Sequence, residues 1–124
     1  AEAAVNGSSS YKYISYLFAT VAGVSKVGSY TGNGSSQTID CGFSSGARFV
    51  LIKSSTQATE WNVFDTARGI VSGNDPALFL DNTSAEVTNG DFIDPHSSGF
   101  TINYVTTLQG CNTSGQSYIF YAIA

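Results

Sequence analysis

The chain has 124 residues, enough for one domain with a single hydrophobic core. Its five basic and nine acidic residues give a net charge of −4, and the basic residues are scattered, which argues against nucleic-acid binding and against an anionic membrane surface. No apolar run approaches the ~20 residues of a membrane span, so membrane insertion is not expected.

The N-terminal region begins with a small, polar tail over residues 1–10, which we expect to be loose. Residues 11–20 (YKYISYLFAT) alternate and then become continuously apolar, a pattern that predicts a strand with at least one buried face. Ala22-Gly23 then breaks the pattern. We therefore divide the chain into an N-terminal segment over residues 1–22 and a single domain over residues 23–124.

The rest of the chain consists of short apolar or alternating segments separated by turns rich in Gly, Asn and Ser. Residues 82–90 are expected to form a polar loop with one helical turn near Glu86, and Pro95 is expected to end the segment before it. About eight or nine strands at this spacing predict an all-β, antiparallel, jelly-roll-like β-sandwich, with a closed barrel as the alternative. The predicted strands after the N-terminal segment are 26–31, 37–40, 48–53, 60–65, 78–80, 91–94, 99–105 and 117–124.

One internal similarity links the two ends of the chain. Residues 13–19 (YISYLFA) resemble residues 118–124 (YIFYAIA) position by position. One interpretation is a tandem array of modules, in which residues 1–22 carry the last strand of an upstream module or a connector. The alternative is two independent strands that both need aromatic residues for the core.

The middle of the chain holds the only tryptophan, Trp61, and a group of charged residues. Trp61 lies in a predicted strand beside Val63, so we expect it in the core, where Trp61→Ala would cost about 3–5 kcal/mol and unfold the domain. Arg68 follows Asp65 by three residues. An ion pair of Arg68 with Asp65 or Glu86 is expected to fix the turn after that strand.

The sequence gives little support for any catalytic residue. Ser44 lies in a G-x-S-x-G pattern, but a nucleophile elbow needs a helix after the serine, and a strand pattern follows here. The single histidine, His96, lies in a turn beside Asp94 and Ser97, whereas a catalytic triad is assembled from distant loops. We therefore predict no enzymatic activity, no cofactor and no catalytic residue.

Candidate metal and redox sites are also weak. The acidic residues concentrate in one stretch, yet none has the spacing of a Ca²⁺-binding loop, so we expect solvated acids and no metal. Cys41 and Cys111 could form one disulfide, and the alternative is two buried free thiols. The acidic residues of this stretch are Asp75, Asp81, Glu86, Asp91 and Asp94.

Aromatic residues give the only candidate for ligand binding. Their rings offer an apolar face with a polar edge, which stacks well on sugar rings. Since Trp61 is expected in the core, a surface tyrosine such as Tyr30 is the better candidate for a glycan contact.

The order of these segments resembles a repeat module of tailed-phage virion proteins, including those of marine cyanophages. The resemblance covers residues 25–124, and Ser44-Ser45 stands where the modules usually have a proline after Gly42-Phe43. It implies no catalytic residue. The matching pieces are residues 28–34 (GSYTGNG), 42–43 (GF), 49–53 (FVLIK), 61–69 (WNVFDTARG), 84–86 (SAE), 98–100 (SGF), 112–115 (NTSG) and 118–124 (YIFYAIA).

The resemblance implies a non-enzymatic structural module on the virion surface, most often in a fibre or tail appendage. Its expected partners are other virion proteins, further copies of itself in a homo-oligomer or tandem array, and host-surface glycans. The alternatives are a capsid decoration protein and a secreted, lectin-like sugar-binding domain. A hydrolase that uses Ser44 is the remaining hypothesis.

Overall fold

A computed structural model describes residues 10, 12–105 and 110–124 of the chain. The described part contains nine strands and no helix, so it offers no helical segment of the length and hydrophobicity that crossing a membrane requires. The strands are β1 (Ser25–Thr31), β2 (Gln37–Asp40), β3 (Phe49–Ser54), β4 (Asn62–Asp65), β5 (Asp75–Phe79), β6 (Val87–Gly90), β7 (Ile93–His96), β8 (Gly99–Ile102) and β9 (Ser117–Ile123).

The strands form two antiparallel sheets, as the sequence predicted. One sheet has six strands in the order β1-β9-β3-β4-β5-β6, and the other has three in the order β2-β8-β7. The C-terminal strand β9 lies between β1 and β3, with Tyr121 opposite both Val27 and Leu51. The closing strand of the chain is therefore a central strand of the larger sheet.

The core lies between the sheets because alternate residues of each strand point to opposite faces. Phe100 of the small sheet meets Phe120 of the large sheet edge to face, with ring centroids 5.5 Å apart. Phe64 and Phe92 make a second contact between rings at 5.9 Å. The other large, fully buried apolar side chains are Val50, Ile52, Ile93, Ile102 and Tyr118.

A buried asparagine joins two loops at one end of the sandwich. Asn112 accepts hydrogen bonds from Asn33 N (3.0 Å) and Gln37 Nε2 (2.6 Å), and its own amide donates to the carbonyl oxygen of Ser35. Because Asn112 is fully buried, these bonds satisfy an amide that water cannot reach. They tie the loop before β9 to the β1–β2 connection.

Three local predictions are wrong. Residues 12–20 form no strand and are exposed throughout, whereas Tyr11 lies outside the described residues. The predicted polar loop ends in β6, and no helical turn forms near Glu86. Pro95 lies inside β7 rather than ending a segment, which is tolerated because β7 is an edge strand with only β8 beside it.

Candidate interaction surface

The outer face of the six-stranded sheet, which looks away from the core, is apolar. Its residues alternate with the core residues of the same strands, and cross-strand pairing places them on one surface. We define the outer face as Val27 of β1, Phe49 and Leu51 of β3, Val63 of β4, Leu78 of β5, Ile119, Tyr121 and Ile123 of β9, and the neighbouring Trp61 and Leu80.

Much of this face is open to solvent. Trp61 is 37% exposed, Val27 is 43% exposed and Ile119 is 45% exposed. The sheet register also puts Lys53 and Asp65 on this side, but both are engaged locally. Lys53 Nζ donates to Thr59 O at 2.7 Å, and Asp65 pairs with Arg68. Asp65 is therefore paired with a basic side chain, whereas Lys53 keeps its positive charge beside the apolar residues.

Residues 12–20, which we call the arm, form no strand, and Tyr16 and Phe18 of the arm lie over this face. The ring of Phe18 stacks on Tyr121 with centroids 4.4 Å apart. Tyr16 and Phe18 line a groove of about 320 Å³ together with Leu51 and Trp61 of the sheet. The groove has the volume of a small ligand site or of one large side chain.

A tight turn anchors the arm to the sheet at one end. Val21 and Ser25 form an antiparallel bridge around Gly23, whose φ of 71° is a conformation that favours glycine. Val27 N donates to Thr20 Oγ1 at 3.0 Å, and Ser25 Oγ donates to Ala19 O at 2.8 Å. These contacts hold the arm at residues 19–21.

The remainder of the arm is poorly covered. Leu17 is 93% exposed and Ile14 is 84% exposed, although both are apolar. The outer face and the arm together expose apolar side chains and aromatic rings. Surfaces of this kind bind partners by burial of apolar area and by stacking of rings.

A family model for a domain of unknown function (DUF7483) matches residues 1–124. The chain belongs to this family. No curated protein and no solved structure shows significant similarity to the chain.

Trp61 in this DUF7483 domain is not the core residue that the sequence predicted. It precedes β4, and its ring lies on the outer face beside Tyr16 and Leu51. Its backbone N donates to Asp81 Oδ1 at 3.0 Å. The expectation that Trp61→Ala empties the core is therefore wrong, because that side chain is part of the exposed surface.

Arg68 takes both of the carboxylate partners that the sequence proposed. Its Nη2 lies 2.7 Å from Asp65 Oδ2, and its Nε lies 3.4 Å from Glu86 Oε1. Neither nitrogen is aligned for a hydrogen bond, so the two contacts are ion pairs. Arg68 N also donates to Asp65 Oδ1 at 2.9 Å, and this backbone contact closes the turn after β4.

Tyr30 is a half-buried residue of the DUF7483 domain and not an exposed one. It points into the sandwich, where its ring stacks on Tyr118 at 5.0 Å and its hydroxyl donates to Cys111 O at 2.5 Å. Burial raises the pKa of this phenol far above its ordinary value. Tyr30 is a packing residue, and the exposed rings of Trp61 and Tyr16 replace it as candidate ligand contacts.

Cys41 and Cys111 are buried thiols that are not joined in a disulfide, which is the second of the two alternatives that the sequence left open. Burial raises the pKa of Cys41 to about 11 and that of Cys111 to about 12. Both thiols therefore stay protonated near neutral pH and behave as small hydrophobic residues.

Ser44 and His96 do not form a catalytic pair. Ser44 is exposed in a loop that leads into β3 rather than a helix. His96 Nδ1 lies 3.1 Å from the hydroxyl of Ser98 within the β7–β8 turn. The loop containing Ser44 docks on that turn through backbone bonds, since Cys41 N and Phe43 N both donate to Ser98 O.

The clustered acidic residues accept hydrogen bonds or form ion pairs within the fold. Asp91 and Asp94 each accept a 2.8 Å hydrogen bond from Asn103 Nδ2, whereas Glu86 pairs with Arg68. Asp75 is fully buried and accepts three backbone hydrogen bonds. Within the described ranges, no three metal-ligating side chains come together.

Proposed function

We propose that this DUF7483 domain is a non-enzymatic structural module of a tailed-phage virion, exposed on the particle surface as part of a fibre or tail appendage. The sequence segments that resemble phage virion modules, in the same order along the chain, support the assignment to a virion. The outer face, which is apolar and partly covered by an exposed arm, supports a role in assembly because such surfaces bind other proteins by burial. That face is the observation that carries the proposal.

Immunogold labelling of the phage that encodes the chain tests this proposal. An antibody against the β-sandwich should decorate a fibre or tail appendage of intact particles. Labelling of the capsid shell would instead support a decoration protein. Absence of the chain from purified particles, measured by mass spectrometry, would overturn the virion assignment.

A second candidate function is contact with a host-surface glycan, as in a lectin. The exposed ring of Trp61 beside Tyr16 favours it, since sugar rings stack on aromatic faces. The purified domain should then bind a defined set of glycans on an array.

Trp61→Ala should abolish such glycan binding. Tyr104→Ala is the matched control, because Tyr104 is an exposed aromatic residue outside the outer face. An array without hits, or equal loss in both variants, would exclude glycan binding at this surface.

A further inference from the structure

A small cavity lies at the end of the sandwich where β3 begins and β4 ends. The loop before β3, the turn after β4 and the β7–β8 turn form its walls, and its volume is about 210 Å³. A cavity of about 150 Å³ already holds a six-membered benzene ring. This cavity therefore has room for one ring, whereas larger ligands need pockets of about 300 Å³ or more.

The polar lining of the cavity offers hydrogen-bond donors and a positive charge. No acidic residue lines it, although the chain has nine acids and only five bases. In a protein of net negative charge, a depression with this lining favours a ligand that carries a negative group. The polar residues of the lining are Ser45, Arg48, Thr66, His96 and Ser97.

Arg48 is the charged residue of this lining, and its guanidinium forms no ion pair with any described residue. The other arginine, Arg68, takes the carboxylates of Asp65 and Glu86. Arg48 is thus free to bind an oxyanion through parallel N–H donors. One guanidinium balances one negative charge, whereas a phosphate ester carries about −1.5 to −2 at neutral pH. A carboxylate or a sulfate ester therefore matches Arg48 better.

His96 adds a donor in a defined protonation form. Ser98 N donates to His96 Nδ1 at 3.3 Å, and the Ser98 hydroxyl lies 3.1 Å from the same nitrogen. Because Nδ1 accepts, the proton of the neutral ring is on Nε2. No described residue accepts a hydrogen bond from Nε2, so this N–H group is available to a ligand.

Backbone hydrogen bonds fix the walls of the cavity. Gly46 N donates to Ser97 O at 2.8 Å, and Thr66 N donates to Arg48 O at 2.9 Å. At Gly46 the two loops approach so closely that a Cβ atom would lie 2.8 Å from His96 O. The backbone of the site is therefore in place before a ligand arrives, which lowers the entropic cost of binding.

The cavity also has an apolar side. Ile70 is buried and lines the cavity together with Ala47 and Pro95. A sugar ring has hydroxyl groups at its edge and an apolar C–H face, so it matches a lining in which donors lie beside apolar side chains. A bare oxyanion or the acidic side chain of a peptide has no ring to place against Ile70.

We propose that this cavity binds one residue of an acidic glycan, a six-membered sugar ring that carries a single carboxylate or sulfate ester. Arg48 supplies the countercharge to the acidic group. His96 and Ser97 supply hydrogen bonds to the ring oxygens, and Ile70 and Pro95 supply the apolar contact. This site goes beyond the proposed function, which uses the outer face and not this cavity.

NMR titration of the isotope-labelled chain tests the site with four small probes. Two are acidic sugars, glucuronic acid and glucose 6-sulfate. The others are glucose, which is neutral, and the N-acetyl amide of aspartate, which has a carboxylate but no ring. An acidic sugar should shift the amide signals of Gly46 and Ser97, and the tighter of the two identifies the acidic group. Glucose and the aspartate derivative should bind at least about tenfold more weakly.

Arg48→Gln should raise the dissociation constant for the acidic sugar at least about tenfold, because charge-assisted hydrogen bonds are lost. Lys12→Gln is the matched control, since it removes one positive charge from the arm, which lines no part of this cavity. Arg48 is exposed, so its replacement should leave the fold intact by circular dichroism.

Several results would overturn the proposal. These are the absence of amide shifts with both acidic sugars, equal binding by Arg48→Gln and the wild-type chain, or binding of glucose or the aspartate derivative as tight as that of the acidic sugars. A chain that labels virions without binding acidic sugars would refute only this site. A chain that binds them but is absent from virions would refute only the virion assignment.

Discussion

At the scale of single residues, Asp75 is a fully buried carboxylic acid that joins two separate parts of the chain. Its Oδ1 accepts from Val71 N at 3.0 Å, and its Oδ2 accepts from Phe92 N at 3.1 Å and Ile93 N at 2.9 Å. Burial raises the pKa of this carboxyl, and the three backbone donors oppose that shift. One side chain thereby fixes the loop before β5 and the start of β7.

Asp75→Asn should destabilise the domain by about 1–3 kcal/mol, the cost of leaving a buried donor without an acceptor. In Asp75→Asn, one of the two acceptor oxygens becomes an N–H₂ group. This group cannot accept a hydrogen bond from the backbone N–H groups that the carboxyl group now binds. Urea unfolding at pH 7 measures the loss. Asp40→Asn is the control, because Asp40 is exposed and an asparagine oxygen can still accept from Gly42 N. Equal effects of the two substitutions would contradict this role for Asp75.

The two thiols give a prediction about reactivity and pH. In native protein, Cys41 and Cys111 should react slowly with a thiol reagent at pH 8, because both are buried and protonated. In guanidinium without reductant, both should react. Fewer than two reactive thiols per unfolded chain would indicate a disulfide.

The same pKa shifts set an alkaline limit on stability. The folded-state pKa values of about 11 and about 12 lie above the ordinary thiol value of 9.0. The contribution of Cys41 and Cys111 to the free energy of unfolding is therefore complete below pH 9. It is lost as the pH rises through their pKa values in the folded state. Replacing both with alanine should flatten the decline in urea midpoint over that range, and an unchanged decline would contradict this origin.

At the scale of elements, Arg68 links the turn after β4 to the segment before β6 through Asp65 and Glu86. Arg68→Ala should lower the free energy of unfolding by about 1 kcal/mol, because the ion pairs are partly exposed. The loss should shrink in high salt, where exposed charges are screened. Thermal unfolding at two ionic strengths measures it, with the exposed Arg48 replaced by alanine as the control. A loss as large in Arg48→Ala would contradict a specific role for the ion pairs.

Strands with clear apolar alternation were predictable from the sequence, and strands fixed by distant contacts were not. The β3–β4 hairpin and β9 lie where alternation placed them, within one or two residues. β6 was missed because Val87-Thr88-Asn89-Gly90 has a single large apolar side chain, and it pairs only with β5. Its existence depends on a neighbour that the local sequence does not reveal.

The same limit applies to the candidate site. The pairing of Arg68 with Asp65 was predictable, because the two residues are close in sequence and charges are scarce. The outer face was not, since periodicity separates the two sides of a strand without saying which one faces the core. Trp61 was therefore assigned to the wrong side. The local sequence pattern also cannot distinguish the arm from β9. The two segments have similar sequences, and they differ in the parts of the fold that surround them.

At the scale of the whole molecule, the fold and the arm are separable. All nine strands lie between residues 25 and 123, and the large buried side chains lie in that range. The arm contacts the outer face through Tyr16 and Phe18, and it is anchored to the start of β1 by hydrogen bonds of Ala19 and Thr20. The core of the domain therefore lies within the sandwich, and the apolar outer face and the arm lie outside it.

Removal of residues 1–20 should consequently leave the sandwich folded. The truncation removes the Phe18–Tyr121 stack and the hydrogen bonds of Ala19 and Thr20, together about 2–4 kcal/mol, which lowers the melting temperature by on the order of 10 °C. Circular dichroism and thermal unfolding, at a concentration where the chain is monomeric, measure this. Removal of residues 117–124 is the matched control, because it deletes the segment of similar sequence that forms β9. That variant should not fold, since β1 and β3 both pair with β9. If the two truncations were equally damaging, the arm would belong to the core, and the separation of fold and arm would be wrong.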